Sequence, residues 1–490
     1  MADTATGRVQ AQETHSGVVI SIGERTYKLK KAVDLGFLDF RSREQRQAVC
    51  RREVELNRRL APEVYLGVAD VHGPDGELRD HLVVMRRLPA ERSLTALVEA
   101  GEAVEDCLDE VAERLAAFHA QAHRSSEIAE EARTDGWRQR WRANLDALGP
   151  FRGELLDAEL VDDIDQKART FLDGRAALFD ERVDQDRVVD GHGDLSASDV
   201  FCLDDGPRLL DCVEFDDRLR YVDGADDAAT LAMDLQARGR DDLAEQFLAR
   251  YADHADDPLP RPLIDHYVAY RALIRTKAAC LRWSQSNHDQ TDAQQARQLL
   301  ELAHYRLRAV AVRLILVGGP PGTGKSTISA ALGDRIGVTV LASDRVRKEL
   351  AGLDPDAPSD QTGGGTGAGG LYSAAHTDRT YEQLTARAQH LLAHGRSVVL
   401  DASWTRGEHR ERATRAATDA GAELVALRCS ASQDTAAERI HTRRPGPSDA
   451  DPRVAAQLAS QADPWPEAHV VDTTGAVEDA VTQAVEHVLG

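Results

Sequence analysis

Apolar and polar positions alternate with a period of two over residues 18–22 and 25–33, on either side of Gly23-Glu24, which predicts an antiparallel hairpin. Residues 45–60 change to a helical period, and 81–88 (HLVVMRRL) return to a strand. From residue 105 the helical period dominates. Residues 105–123 place Ala112, Leu115, Ala116 and Phe118 near one face, and helices are expected to continue over 137–148 and 155–179. Two short extended runs, 200–203 and 208–214, flank a DDGP turn, and long helices are expected at 263–283 and 292–308. The rhythm then changes again. Apolar runs at 313–317, 338–342, 397–400, 423–428 and 469–471 alternate with helix-like runs. Such βα units predict a parallel sheet covered on both faces, with chemistry at the carboxyl ends of its strands. No Gly/Ser- or Pro-rich linker parts the two patterns, so the boundary is placed near 309–311. The expected domains are 1–310, with a small lobe about 15–90 and a helical lobe about 91–310, and 311–490. The fold class is α/β in two domains.

Composition narrows this picture. A net charge of −23 over 490 residues opposes broad attraction to nucleic acid or anionic membrane. No run approaches the roughly 18 apolar residues of a membrane span, and the first residues lack an apolar signal core, so a cytoplasmic protein is expected. Cys50, Cys107, Cys202, Cys212, Cys280 and Cys429 are scattered without a C-x-x-C pair, and reduced interior thiols are expected. Lysine is used only at Lys28, Lys30, Lys31, Lys167, Lys277, Lys325 and Lys348. Where a compact ammonium stands among so many arginines, a phosphate site is a natural reason.

Lys325 has that reason in its neighbours. Gly319-Pro320-Pro321-Gly322-Thr323-Gly324-Lys325-Ser326 is a complete G-x-x-x-x-G-K-S phosphate loop, between the apolar run 313–317 and a helix-like run 325–336. The glycines free backbone N–H groups to face phosphate at a helix N-terminus; Lys325 would reach the β/γ oxygens, Ser326 would ligate Mg²⁺, and Thr327 continues the first turn. The chain therefore handles a nucleoside triphosphate. Lys28 and Lys30 share one face of the predicted second strand, and the helix 45–60 offers Glu53 and Glu55; a lysine strand, an acidic helix and a further strand outline a nucleotide-binding small lobe. His119 and His123 are four apart but have no third ligand in sequence, and are read as packing residues.

The second informative stretch is residues 188–214, VVDGHGDLSASDVFCLDDGPRLLDCVE. His192-Gly193-Asp194 precedes the short hairpin, with Asp199 five residues on and Asp211 across it. Phosphoryl transfer needs this set: a carboxylate to take the acceptor's proton and two to hold Mg²⁺. HGDLSASD…LLDCVEFDDRLRYVD resembles the catalytic and metal-binding segment of the aminoglycoside phosphotransferase family, which has the protein-kinase-like bilobal fold. The segments YKLKK, EVELNRRLAPEVYLGV, VVMRRLP and AERLAAFHA resemble the same family's small lobe and following helix, so the resemblance spans about residues 15–285. It implies that Lys30, with Lys28 as the alternative, contacts the nucleotide phosphates, that Glu53 pairs with it, that Asp194 is the base, and that Asp211 is the principal Mg²⁺ ligand beside Asp199. The family usually has Asn at the place of Asp199 and often His at that of Ser196, which leaves open a regulatory first domain serving a single P-loop kinase. The acidic residues Asp216, Asp217 and 223–227 (DGADD) suit either attraction of a cationic acceptor or a solvated face.

In the second half Ser343, Asp344, Asp401 and Ser403 fall at strand ends. Asp344 and Arg347 would offer a base and an anion-binding cation together to the acceptor, Asp344 also suits a helix N-cap, and Asp401 would be an outer Mg²⁺ ligand. Arg439, Arg443 and Arg444 would form a lid over the transferring phosphoryl; 361–370 (QTGGGTGAGG) reads as a loop near the acceptor. Residues 312–490 resemble small P-loop kinases of the gluconate-kinase and polynucleotide-kinase type. Together the two resemblances imply a bifunctional kinase using ATP and Mg²⁺ on small-molecule hydroxyls. The polynucleotide comparison keeps a nucleic-acid 5′-end kinase as a further alternative, against which the acidic chain speaks.

Overall fold

The computed structural model describes residues 10–13, 17–33, 39–286, 288–355, 371–442 and 462–489. The chain divides into two compact units, residues 1–165 with 179–307, and residues 166–178 with 308–490.

The first unit begins with β1 (Gln10–Glu13), β2 (Gly17–Ile22), β3 (Arg25–Lys30), β4 (Tyr65–His72) and β5 (Leu78–Arg86) in one antiparallel sheet of order β1-β2-β3-β5-β4. The expected hairpin is β2–β3, turned at Gly23 with φ +60°, and its register sets Val19 against Lys28 and Gly17 against Lys30. The helix Arg43–Asn57 starts with a capping box between Ser42 and Gln45 and packs Cys50 and Val54 against Tyr65, Val83 and Met85. β1 and β4 are additions to the sequence reading; both carry polar residues at positions where an interior strand would be apolar.

In the helical lobe, Glu105–Gln121, Gly224–Ala237 and Asp241–His254 enclose Leu108, Val111, Leu115, Leu231, Leu235 and Phe247. The helix expected over 155–179 is two helices, Ala158–Gly174 and Ala176–Asp184. β6 (Val188–Asp190) pairs with β9 (Tyr221–Asp223), and between them lies the hairpin β7 (Val200–Leu203) and β8 (Gly206–Leu209). The strand expected over 208–214 stops at Leu209 because Asp211 takes φ +67°, a left-handed turn that no strand accommodates. Two further expectations are corrected here. Cys107 and Cys202 are joined as a disulfide, since the helix Glu105–Gln121 and β7 bring together residues 95 apart in sequence; Cys50, Cys212, Cys280 and Cys429 are free and buried. Asp223, Asp226 and Asp227 are fully buried, so they are neither a solvated face nor a lure for a cationic acceptor.

The second unit is a parallel sheet of β10 (Arg313–Gly318), β11 (Thr339–Ala342), β12 (Val398–Asp401), β13 (Glu423–Ser430) and β14 (His469–Asp472), in order β11-β12-β10-β13-β14. Central β10 sends Leu314 and Leu316 to a core with Val346, Leu384 and Trp404, and Ile315 and Val317 to one with Ile328, Leu332 and Ala484. This is the doubly covered sheet that an unbroken apolar strand predicts. Among the described residues no helix is long and apolar enough to cross a membrane.

Candidate active sites

Lys28 and Lys30 both close on Glu53, which the helix Arg43–Asn57 presents fully buried. Lys30 Nζ lies 2.7 Å from Glu53 Oε2 and 2.6 Å from Glu214 Oε1; Lys28 Nζ lies 3.2 Å from Glu53 Oε1 and 2.5 Å from Asp211 Oδ1. Burial works against the Lys30 ammonium, but Glu53 and Glu214 outweigh it and hold the group above its ordinary value. Lys30 is the more enclosed, with 9% of its side chain exposed against 19% for Lys28. Lys28 thus reaches Asp211, while Lys30 lies behind it between two acids. Thr26, Val19, Ser21, Arg86, Leu88 and Pro89 line a cleft of about 1180 Å³ on this sheet. Glu55 instead pairs with Arg52 at the surface.

Asp194 sits on a loop held from below by side chains far away in sequence. The backbone N–H groups of His192 and Gly193 donate to the two oxygens of Asp227 at 2.6 and 2.8 Å, and His119 Nε2 lies 3.0 Å from the same carboxylate. Burial opposes ionisation of Asp227; His119 and His192 more than offset it and hold the carboxyl low. His119 is therefore a packing residue with a polar task, as it also lies 2.8 Å from Tyr251 Oη. From the helix Arg261–Gln285, Arg271 grips Asp226 with two bonds of 2.7 Å and donates to Gly193 O at 2.6 Å. Four residues on, Arg275 Nη2 lies 2.9 Å from Asp194 Oδ1. Ser196 caps the short turn Ala197–Asp199 and donates to Asp199 Oδ2 at 2.5 Å. Burial first, then the charge of Asp211, pushes the Asp199 carboxyl up to about 7, and Asp194 adds to the effect. Asp211 is held low: burial opposes its charge and Lys28 overcomes it. Arg271, Arg275 and Glu214 were missed in the sequence. Two arginines four apart in an apolar helix, and an acid three residues after Asp211, were the available signals.

In the second unit the phosphate loop turns on glycines. Gly319, Gly322 and Gly324 have φ of +133°, +84° and +82°. A Cβ on Gly319 would lie 2.5 Å from Cys429 O, and one on Gly322 would lie 2.6 Å from Ala436 O, so neither position admits a side chain. Thr323 Oγ1 donates to Pro320 O at 2.8 Å, Lys325 Nζ donates to Pro320 O at 3.0 Å, and Pro321 completes the turn between them. The helix Lys325–Ile336 follows at once, with Ser326 and Thr327 exposed in its first turn.

Around this loop the register places Asp401, 7% exposed, beside Val317, and Ser403 O accepts from Gly319 N at 3.3 Å. Arg439 Nη2 donates to Thr473 O at 2.7 Å, and Thr473 Oγ1 donates to Thr323 O at 2.8 Å, which brings Arg439 to the loop. Asp344 lies in the first turn of the helix Ser343–Leu350, whose N-cap is Ala342, so the capping role expected of Asp344 is not its own. Arg347 is buried; its Nη1 donates to Leu371 O at 2.9 Å and Thr377 Oγ1 at 3.1 Å, with Tyr372 beneath the guanidinium at 4.8 Å. Arg443, Arg444 and 361–370 lie outside the described residues.

The donor sets fit the groups their chemistry implies. In the first unit Glu53, Asp211 and Glu214 share two ammoniums, and Asp199 beside Asp211 is driven toward its neutral form. A divalent cation held here would let both aspartates ionise. In the second, the glycine cradle that a Cβ would fill is shaped for phosphate.

Comparison with known proteins agrees with this division. A family profile described as "Phosphotransferase enzyme family" matches residues 20–263, and one described as "AAA domain" matches residues 314–465. "Uncharacterized protein Rv2004c" of Mycobacterium tuberculosis and "Uncharacterized protein Mb2027c" of Mycobacterium bovis are each 41% identical over 478 residues, covering 97% of this chain and 94% of theirs. Among solved structures, similarity extends to the GDP complex of aminoglycoside 2′-phosphotransferase-IIIa (16% identity, TM-score 0.37, 62% of this chain and 94% of that one). It extends also to a sugar kinase from Janibacter (13% identity, TM-score 0.29, 36% of this chain and 94% of that one). The chain belongs to the same family as these mycobacterial proteins, and joins a protein-kinase-like phosphotransferase domain to a P-loop kinase-like domain in one polypeptide.

Proposed function

We propose that this protein is a bifunctional kinase in which each domain moves the γ-phosphoryl of ATP to a hydroxyl of a small molecule. The observation that carries this reading is the convergence of Asp194 and Asp211 on Asp199, close enough for their charges to raise its carboxyl, beside the Lys28/Lys30–Glu53 cluster of the same domain. The cleft lined by Arg86 and Leu88 receives the nucleotide base. Lys28, nearer to Asp211, contacts the phosphates, while Glu53 and Lys30 hold it in place. Asp199 and Asp211 hold Mg²⁺, which when bound neutralises phosphate charge. Asp194 turns an acceptor hydroxyl toward phosphorus and takes its proton.

In the second domain the backbone of residues 319–324 cradles the phosphates, Lys325 exchanges Pro320 O for phosphate oxygen, and Arg439 clamps the phosphoryl from Thr473. Ser326 and Asp401 serve Mg²⁺, and Asp344 is the base at the strand end, with Arg347 shaping the acceptor side.

The test is ATP consumption with sugars, aminoglycosides, nucleosides and oligonucleotides on wild type, Lys325→Ala and Asp194→Asn. Each substitution is expected to lower one acceptor's turnover by about 10³-fold and leave the other's in place. Silence of every acceptor in Lys325→Ala alone would make the first domain a regulator. Turnover confined to oligonucleotides, falling steeply with salt, would make the protein an end-processing enzyme.

A further inference from the structure

Transfer of a phosphoryl group carries negative charge toward the acceptor, and kinases neutralise it with cations placed at the reacting atoms. The loop that bears Asp194, residues 192–199 (HGDLSASD), contains no lysine or arginine. Lys28 and Lys30 are each held between two carboxylates on the nucleotide side. On the acceptor side the carboxylate of Asp194 would repel the incoming charge.

One helix answers this with two arginines of different use. Arg271 is buried and fixed, gripping Asp226 and Gly193 O. Arg275, one turn further, emerges where Asp194 emerges: its side chain is 32% exposed and that of Asp194 is 42% exposed. Its guanidinium Nη2 lies 2.9 Å from the carboxylate oxygen Oδ1 of the base itself, and residues 192–199 bring no guanidinium or ammonium of their own. An ion pair exposed to this degree is weak, so exchanging its partner costs little. An arginine also has donors enough to face two oxygens at once, which suits the equatorial oxygens of a phosphoryl group.

We propose that Arg275 is a catalytic residue of the first domain, its guanidinium passing from Asp194 to the oxygens of the phosphoryl in flight as the acceptor hydroxyl takes its place on the base. The inference rests on the reading of this domain as a phosphotransferase. In the step, a bond forms between the acceptor oxygen and the γ-phosphorus while that between the γ-phosphorus and the β–γ bridging oxygen breaks. The electron pair leaves with ADP, and the hydroxyl proton goes to Asp194. Arg275 exchanges no proton; it lowers the cost of the charge between the two oxygens.

The test uses the full chain carrying Lys325→Ala, with Mg²⁺, the fluorescent nucleotide mant-ADP, and fluoroaluminate as a mimic of the phosphoryl in flight. Fluoroaluminate is expected to tighten mant-ADP binding. Arg275→Ala should reduce that tightening by about 10²-fold with mant-ADP alone bound within about threefold of normal, and free guanidinium should restore part of it. Arg275→Lys should fall between. Undiminished tightening in Arg275→Ala would overturn the inference and leave the phosphotransferase reading in place. Loss of mant-ADP binding itself in both Arg275 variants would assign a structural role and also overturn it. No tightening in the Lys325→Ala chain with Arg275 intact would overturn the phosphotransferase reading, and this inference with it.

Discussion

The two candidate-site loops of this protein take their shape from different materials. Residues 319–326 are shaped by their own backbone: three glycines at positive φ, a threonine and a lysine that bond a carbonyl within five residues, and a helix that starts where the loop ends. Residues 192–199 are shaped from outside, by Asp227 and by Arg271, itself held by Asp226, through bonds that span between 34 and 78 residues of the chain. A loop built from backbone geometry tolerates change around it but none within it. A loop built from buried charges tolerates change within it but none beneath it.

The sharpest way to break this contrast is to remove a support. Asp227→Ala takes away a buried carboxylate that satisfies two backbone N–H groups and His119. We expect a loss of about 3–5 kcal/mol in the first domain's unfolding transition, read by denaturant titration. A loss below about 1 kcal/mol would mean that the loop holds itself. Gly322→Ala is the counterpart within the other loop, where the added Cβ meets the Ala436 carbonyl at a φ of +84°. Its expected cost is about 1–3 kcal/mol in the second domain, with stabilisation by nucleotide abolished there and kept in the first. Equal nucleotide protection of both domains in this variant would contradict the backbone account.

The smallest effect concerns Asp199. Its folded value near 7 lies above the roughly 3.9 of an unfolded aspartate, so the folded state holds the proton more tightly. The resulting contribution to stability is present below about pH 4 and is lost as pH rises through about 7. Without Mg²⁺ the first domain's melting temperature should fall by a few degrees across that interval. Stabilisation by added Mg²⁺ should grow across the same interval as the carboxylate becomes available, and Asp199→Asn should flatten both trends. Protection by Mg²⁺ that is equal at about pH 5.5 and pH 8 would remove Asp199 from the metal's ligands.

The same contrast explains what could be read from the sequence. The phosphate loop, its strand and its helix were legible because every determinant lies within one consecutive stretch, residues 313–336. The parallel sheet followed from apolar runs such as 313–317, for which burial on both faces leaves few alternatives. In the first domain, Asp194, Asp199 and Asp211 were legible as a spacing, but not the left-handed turn at Asp211, because nothing local forces a non-glycine residue there. The DGADD run pointed outward by composition and inward in fact. Arg182, Arg271 and His119, each distant in sequence, make its burial affordable. The Cys107–Cys202 bond was likewise invisible, as a separation of 95 residues encodes no pairing.

Glu53 sits between two ammoniums that stand two residues apart on one strand. For a lineage accumulating substitutions, this arrangement is a buffer. Loss of either lysine leaves Glu53 a partner and the strand a cation on the same face, so the first such change is expected to cost less than the second. Descendants of one ancestor could thus come to keep different lysines for the same duty. An alignment column that shows only one of the two would understate how strongly the pair is constrained.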